Sequence, residues 1–343
     1  MRIALVIMGG DNAPHSNILG AEMFIDATPG SNTKIIFVGP ESVIQEQIKR
    51  HTPNINPDRF EIHNASDVIA MDETKPAYAF KNKPNSSLVQ SVQLVKDNNA
   101  DAIISAGNTA ALLSSSLFIL GKINGIKRPA LATYIPSKNN GFILCDVGAN
   151  TDVKPIHLMQ FAIMASDYVK YIDDIDSPKI ALLNIGSEKN KGNKLTSEAY
   201  SLLEENLQGF IGNIESRDLL EGKIDVAICD GFTGNAILKL IEGIINHFYQ
   251  SLKSDENILK SDHAMRGIKK IFSKYDYEEH GASPFLGVKG IVLKCHGSCT
   301  QRSIKNALIS SEIFYKNKII NKIQSDLDKK VELFKKIELV SNK

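Results

Sequence analysis

Ile103-Ile104-Ser105-Ala106-Gly107-Asn108-Thr109-Ala110-Ala111-Leu112-Leu113 reads as three pieces: a β-branched apolar end, a small polar turn, and the start of an apolar helix. The same three pieces recur along the chain. Ile3–Met8 leads into Gly9-Gly10-Asp11-Asn12-Ala13-Pro14, and Ile143–Cys145 into Asp146-Val147-Gly148-Ala149-Asn150. Leu182–Asn184 leads into Ile185-Gly186-Ser187, Ala227–Cys229 into Asp230-Gly231-Phe232-Thr233-Gly234-Asn235, and Val292–Lys294 into Cys295-His296-Gly297-Ser298. Strand candidates are Ile3–Ile7, Lys34–Val38, Ala102–Ser105, Ala130–Ile135, Phe142–Cys145, Lys179–Asn184, Asp225–Cys229 and Ile291–Lys294. Helical periodicity separates many of them, as in Ile237, Leu240, Ile241, Ile244, Ile245 and Phe248. This alternation predicts an α/β protein with a doubly wound, mainly parallel sheet.

No Pro/Gly/Ser linker divides the chain. The expected organisation is one α/β unit over 1–330, any two lobes being interleaved, followed by a C-terminal tail at 331–343. A charged stretch from Ser251 to Ser283 interrupts the rhythm as a helical excursion without a strand signal. Within it Met265, Ile268, Ile271 and Phe272 share a helical face, while Arg266, Lys269, Lys270 and Lys274 lie mostly elsewhere. Such a basic amphipathic segment is either a surface helix packed on the core or a contact for a membrane surface or an acidic partner.

The 343 residues are 43% hydrophobic and 23% charged, enough to build a core without disulfide or metal staples. Lys plus Arg (40) nearly balances Asp plus Glu (39), so the overall charge points away from nucleic acid. The apolar N-terminus stops at Gly9, too early for a signal peptide. The longest apolar run, Ala110 to Leu120, is interrupted by Ser114-Ser115-Ser116, so a cytoplasmic location is expected. Cys145 and Cys229 end apolar runs and read as buried small side chains. Cys295, His296 and Cys299 lack the further ligand pair that a metal site needs, so no metal is expected.

In a parallel sheet the recurring turns fall at the carboxyl edge of the strands, where open α/β proteins bind ligands. Each turn opens a helix whose first N–H groups are unpaired, and glycine lets an anion come close to that backbone. Several such turns carrying Asn, Thr, Ser, Lys and His predict an anion- or phosphate-handling cleft. Neither the P-loop nor the dinucleotide-fingerprint spacing occurs, which disfavours a nucleotide.

Met8-Gly9-Gly10-Asp11-Asn12-Ala13-Pro14 resembles the N-terminal signature of the PlsX phosphate acyltransferase family. Ser105–Thr109, Asp146–Asn150, Leu183–Gly186, Phe210–Glu215, Asp230–Asn235 and His296–Ser298 resemble its later motifs, in order, from residue 2 to about 315. The resemblance implies an isocitrate/isopropylmalate-dehydrogenase-like fold, a homodimer and no cofactor. It further implies acyl carrier protein and inorganic phosphate as substrates, with acyl phosphate feeding the first acylation of glycerol 3-phosphate in phospholipid synthesis. A glycerol-3-phosphate acyltransferase at the inner membrane surface is the implied neighbour. Val6-Ile7 stand where the family has Asp-Ala, Ala110 where it has Gly, and Cys299 where it has Ser.

Phosphate attack on a thioester needs little general-base help, since phosphate is already largely dianionic near neutral pH. Holding the anion, stabilising the oxyanion and releasing the thiolate are the harder tasks. Gly9, Gly10, Asp11, Ser105, Gly107, Thr109, Asp230, Thr233, Gly234 and Asn235 are the expected phosphate or substrate contacts, and His296, Lys294 and Asn108 the expected catalytic residues. His296 would protonate the thiolate or hold phosphate as imidazolium, with Lys294 adding charge. Asp146 and Asp230 are bases or, more in keeping with strand-end acids, caps of the turns they open. Lys189, Lys191 and Lys194 form either a solvated face or an attraction for phosphate or an acidic carrier. Met265, Arg266, Ile268, Lys269, Lys270, Ile271 and Phe272 are the expected membrane or carrier contact. The competing readings are a CoA-dependent short-chain phosphotransacylase, a metal-dependent decarboxylating dehydrogenase, and a non-catalytic membrane-surface scaffold.

Overall fold

The structure is a computed structural model that describes residues 1–254 and 262–341. Its strands are β1 (Arg2–Val6), β2 (Lys34–Gly39), β3 (Phe60–Asn64), β4 (Ala102–Ser105), β5 (Ala130–Ile135), β6 (Phe142–Cys145), β7 (Ile180–Asn184), β8 (Phe210–Glu215), β9 (Val226–Ile228), β10 (Ser283–Leu286) and β11 (Ile291–Lys294). The chain forms two compact units, each assembled from separated segments. The first comprises Met1–Leu131, Lys170–Ile175 and Glu278–Lys343, and the second Ala132–Val169 and Asp176–Tyr277.

In the first unit the strand order is β3-β2-β1-β4-β11-β10, and all but β10 run parallel. Ile3 lies opposite Ile35 on one side and Ala102 on the other, and Ile291 lies opposite Ala102. The sequence favours this arrangement because these strands are uninterrupted β-branched runs that can be covered on both faces. Ile3, Leu5, Ile35, Phe37, Ile103 and Ile104 are fully buried, each contributing roughly 1.5–3 kcal/mol of apolar burial. The parallel register brings the carboxyl ends of β1, β4 and β11 to one edge, and with them the turns that follow. Helices His15–Ala27 and Gln301–Lys316 pack together. They come close at Gly20, where a Cβ would lie 2.5 Å from Cβ of Ile304.

In the second unit the later residues of β5 pair antiparallel with β6, after which β9, β7 and β8 follow in parallel. Helix Pro155–Ile172, whose last turn falls in the first unit, buries Leu158 through Ala165 without a break. Helix Gly231–Ser254 behaves differently. Its apolar stripe is solvent-exposed, with Leu240 62% and Phe248 58% accessible, and only Gly231 and Gly234 are buried. Helix Asp262–Ser273 meets it, the rings of Tyr249 and Phe272 being 5.1 Å apart. Residues 255–261 of the expected excursion lie outside the described residues.

Three strands escape the sequence reading. β3 and β8 are outer strands of their units, half-buried and carrying Glu61, His63, Gly212 and Asn213, so no apolar run marks them. β10 carries Pro284, which argues against a strand until its antiparallel pairing is known. The expected tail begins instead as helix Val331–Ser341, with Phe334 and Ile337 buried. Residues 342–343 lie outside the described residues. Among the described residues no helix is long and apolar enough to cross a membrane.

A buried acid ties the two chain ends of the first unit together. Glu312, on helix Gln301–Lys316, accepts hydrogen bonds from the hydroxyls of Ser31 (2.7 Å) and Thr33, and Lys316 lies 3.1 Å away. Burial pushes the carboxyl up, but the hydroxyl donors and the ammonium outweigh it and hold it below the ordinary glutamate value. A depressed carboxylate contributes stability above its unfolded pKa, which is lost as pH falls through the folded value. Glu312→Gln is therefore expected to cost roughly 1–3 kcal/mol in denaturant unfolding at pH 7. The difference from the parent should shrink in the acid range below the ordinary glutamate pKa; a pH-independent difference would remove the carboxylate from this account.

Candidate active site

At the carboxyl edge of the first unit's sheet three turns interlock through their backbones. The N–H of Asp11 donates to the carbonyl of Gly297 at 2.8 Å. A Cβ on Gly9 would stand 2.8 Å from N of Gly107, and one on Gly10 would stand 2.9 Å from both Cβ of Ala106 and O of Gly297. Gly10 also has φ +98°, open to glycine and strained for other residues. Only glycine permits this approach. Asn17 fixes the first turn from below, its buried amide donating to the carbonyls of Val6 (3.1 Å), Ile7 (2.9 Å) and Gly9 (3.2 Å). The side chain of Asn12 does not cap the following helix. It donates to the carbonyls of Ser298 (3.2 Å) and Cys299 (3.1 Å), and the helix begins at His15 without a side-chain cap.

The predicted residues of this unit divide into framework and surface. Ser105 is buried; its hydroxyl accepts from N of Gly107 at 3.1 Å and its carbonyl from N of Cys295 at 3.0 Å. Lys294 is only 8% exposed, its ammonium donating to the carbonyls of Ala106 (3.3 Å) and Cys295. Burial pushes its pKa down, partly offset by the nearby Cys295 and Cys299 thiols and Asp11. Its charge thus lies beneath the turns as a tie between them, not on their surface. Asn108 caps the helix from Thr109, Oδ1 accepting from N of Ala111 at 3.0 Å, and its Nδ2 donates to the carbonyl of Met71 at 2.9 Å. Both ends of that amide are engaged. The N–H groups of Asn108, Thr109 and Ala110 take no acceptor among the described residues, as expected at a helix start.

Asp11 and His296 are exposed. Nδ1 of His296 lies 2.8 Å from Oγ of Ser298 and 3.3 Å from its backbone N. Because that N–H can only donate, the neutral ring carries its proton on Nε2. Cys295 and Cys299, both buried, share a thiol hydrogen bond that raises the first and lowers the second, Lys294 assisting the latter. Val6 is 1% exposed on β1, and its Cγ1 would stand 3.5 Å from a Cβ on Gly9. A methyl group of Val6 fills the space beneath the turn.

In the second unit the turns after β6 and β9 form another cluster. Asp146 is fully buried and accepts from N of Ala149 (3.1 Å), N of Asn150 (2.7 Å) and Nδ2 of Asn150 (2.8 Å). Asp230 holds Thr233 through both carboxylate oxygens, from its N at 2.9 Å and its hydroxyl at 2.7 Å. Both acids serve as turn caps. Gly231 and Gly234 press against this turn, where a Cβ on Gly234 would collide with O of Asp146. Asn235 packs near Gly148. Lys189 pairs with Glu204, and Lys194 lies 3.8 Å from Glu198, which favours the solvated-face reading for both. Among the described residues no group of three His, Cys, Asp or Glu is placed to hold a metal. Met71 is a neighbour of the site that the sequence does not reveal, since long-range contacts leave no periodic signal.

A family model described as "Fatty acid synthesis protein" matches residues 1–322. A phosphate acyltransferase of Clostridium acetobutylicum is 43% identical, the match covering 96% of this chain and 99% of that protein. One of Brevibacillus brevis is 41% identical over 96% of this chain and 98% of its own. Among solved structures, the EutD phosphotransacetylase of Staphylococcus aureus aligns with TM-score 0.59 at 16% identity, over 91% of this chain and 94% of that one. A 4-hydroxythreonine-4-phosphate dehydrogenase of Klebsiella pneumoniae aligns with TM-score 0.51 at 11% identity, over 91% and 98%. These two likenesses concern the fold, which is α/β and shared by phosphotransacylases and dehydrogenases alike.

Since Asn108 serves as cap and tether, Asn108→Ala should lower stability by about 1 kcal/mol in denaturant unfolding. Asn108→Asp keeps the cap oxygen and should recover most of that loss; equal losses in both variants would deny the cap its role.

Proposed function

The chain belongs to the fatty acid synthesis protein family, whose relatives are phosphate acyltransferases, and on that premise we propose that it transfers an acyl group from acyl carrier protein to inorganic phosphate. The observation that carries the chemistry is the helix start at Asn108–Ala110, whose unpaired N–H groups stand on a turn with the buried Lys294 charge beneath it. Both features favour an anion. In the proposed step an oxygen of hydrogen phosphate attacks the thioester carbonyl carbon, the carbon–sulfur bond breaks, and the proton that phosphate brings ends on the carrier's thiol. His296, with its neutral proton on Nε2, suits a hydrogen-bond donor to the oxyanion or departing sulfur better than a base.

Asp11 and Thr109 are the proposed exposed or half-exposed phosphate or substrate contacts, and Gly9, Gly10, Ser105 and Gly107 the backbone that shapes them. Asp230, Thr233, Gly234 and Asn235 remain substrate-binding candidates of the second unit, with Asp230 acting through Thr233. Acyl phosphate is a mixed anhydride able to acylate a hydroxyl such as that of glycerol 3-phosphate, which supports a role before the first acylation of phospholipid synthesis. The exposed Arg266, Lys269 and Lys270 support contact with an acidic carrier or an anionic inner membrane surface. The outward stripe of Leu240, Ile244 and Phe248, lining a groove of about 500 Å³, supports burial against a second copy. Leu240→Asp with Phe248→Asp should convert a dimer to a monomer by light scattering; an unchanged mass would place the dimer contact elsewhere.

The deciding measurement is phosphate-dependent loss of long-chain acyl carrier protein thioester, run beside butyryl-CoA. Turnover of the carrier thioester supports the proposal, whereas turnover of butyryl-CoA alone would make the protein a short-chain phosphotransacylase. Binding to vesicles without turnover of either would leave a scaffold. His296→Ala should lower kcat at least tenfold, in keeping with loss of one oxyanion donor. Activity of the unmodified chain would show that an acid at Val6 is not required.

A further inference from the structure

We propose that Met71 receives the first carbons of the acyl chain, an inference that rests on the acyl-transfer reading above. Met71 sits on the strap of residues 65–86 that joins β3 to helix Ser87–Lys96. The strap is bound at both ends. Its N of Ala65 donates to O of Gly39 at 2.9 Å, N of Asp67 to O of Asn85 at 3.2 Å, and N of Ser87 to O of Asp67 at 3.1 Å. Lys83 closes it internally, donating to O of Val68 at 3.1 Å and to Glu73 at 2.7 Å.

At Met71 the strap reaches two of the turns that build the site. Its carbonyl accepts from Nδ2 of Asn108 at 2.9 Å, and its Cε lies 3.2 Å from where a Cβ on Gly297 would stand. Asp11 borders the same point, its carboxylate oxygens 3.7 and 3.9 Å from it. Despite these attachments the Met71 residue is 44% exposed. Its backbone is tied to Asn108 and its methyl end borders Gly297 and Asp11, so a flexible apolar side chain stands open at the edge of the polar turns.

The transferred group would pass this edge. If phosphate lies at the Asn108–Ala110 N–H groups, the thioester carbonyl must come within bonding distance of it, and the acyl chain leaves from that same carbon. The chain's first methylenes therefore pass beside Asn108 and Gly297, where Met71 stands. An unbranched thioether can adapt to chains that enter at slightly different angles. Further along, Ser114 donates to O of Pro76 at 3.4 Å, and the exposed Phe118 stacks on Phe80 with centroids 4.6 Å apart. More apolar surface thus lies on the same strap and the helix it grips.

The test compares the parent with Met71→Ala and Met71→Leu, using 16-carbon and 4-carbon acyl carrier protein thioesters with phosphate. Met71→Ala should raise KM for both substrates about tenfold with kcat unchanged, because both present the same first carbons at this point. Met71→Leu should restore both values. A loss confined to the 16-carbon substrate, a fall in kcat alone, or no change would overturn the inference. Equilibrium binding of a 16-carbon carrier thioester without phosphate, in parent and Met71→Ala, separates the two ideas. If the parent shows no turnover, the transfer reading fails, while weaker binding by Met71→Ala still supports Met71 and equal binding rejects it.

Discussion

Close backbone approach at Gly9 and Gly10 is the constraint from which the rest of the first unit's site follows. Those two glycines let the turn after β1 close on the turns after β4 and β11, where Asp11 donates to Gly297 and no Cβ would fit between Gly9 and Gly107. That closeness leaves no room for substrate among the glycines themselves. It turns polar groups outward around them: the Asn108–Ala110 N–H groups, Asp11 and His296. It also requires support beneath, which Asn17, Ser105 and Lys294 supply from buried positions. A lysine placed there acts through its field, because its ammonium is spent on two carbonyls.

The second unit solves a similar problem with acids. Asp146 gathers the N–H groups of its own turn, and Asp230 gathers Thr233. In both units, then, residues that look catalytic in a motif hold the turn in shape. What the turns leave facing outward in the first unit are backbone donors and a few exposed side chains.

Much of this was legible in the sequence, for physical reasons. Parallel strands covered on both faces must be apolar throughout, so β1, β2, β4, β6 and β11 announce themselves within a residue or two. The turns were legible because glycine followed by a cap residue is a local requirement. What stayed hidden depends on partners distant in the chain. β3 and β8 are half-exposed outer strands, and β10 carries a proline. The periodicity of Leu240, Ile244 and Phe248 foretold a helix but not that its apolar face would point outward. Lys294 could be placed at a strand end, yet not its burial, and Asn108 could be placed in a turn, yet not its hold on Met71, 37 residues earlier.

The first unit draws on both ends of the chain, with β11 lying directly beside β4 although the second unit intervenes in sequence. During synthesis the ribosome must release residues beyond Gly297 before the turn after β4 gains its neighbour. The β1 and β4 turns therefore wait for that third turn while the second unit emerges. Assembly of this cluster of turns is thus a late event in the synthesis of each molecule. A truncated chain that ends before β11 lacks Lys294, Gly297 and His296 together, so the architecture withholds the site from incomplete copies.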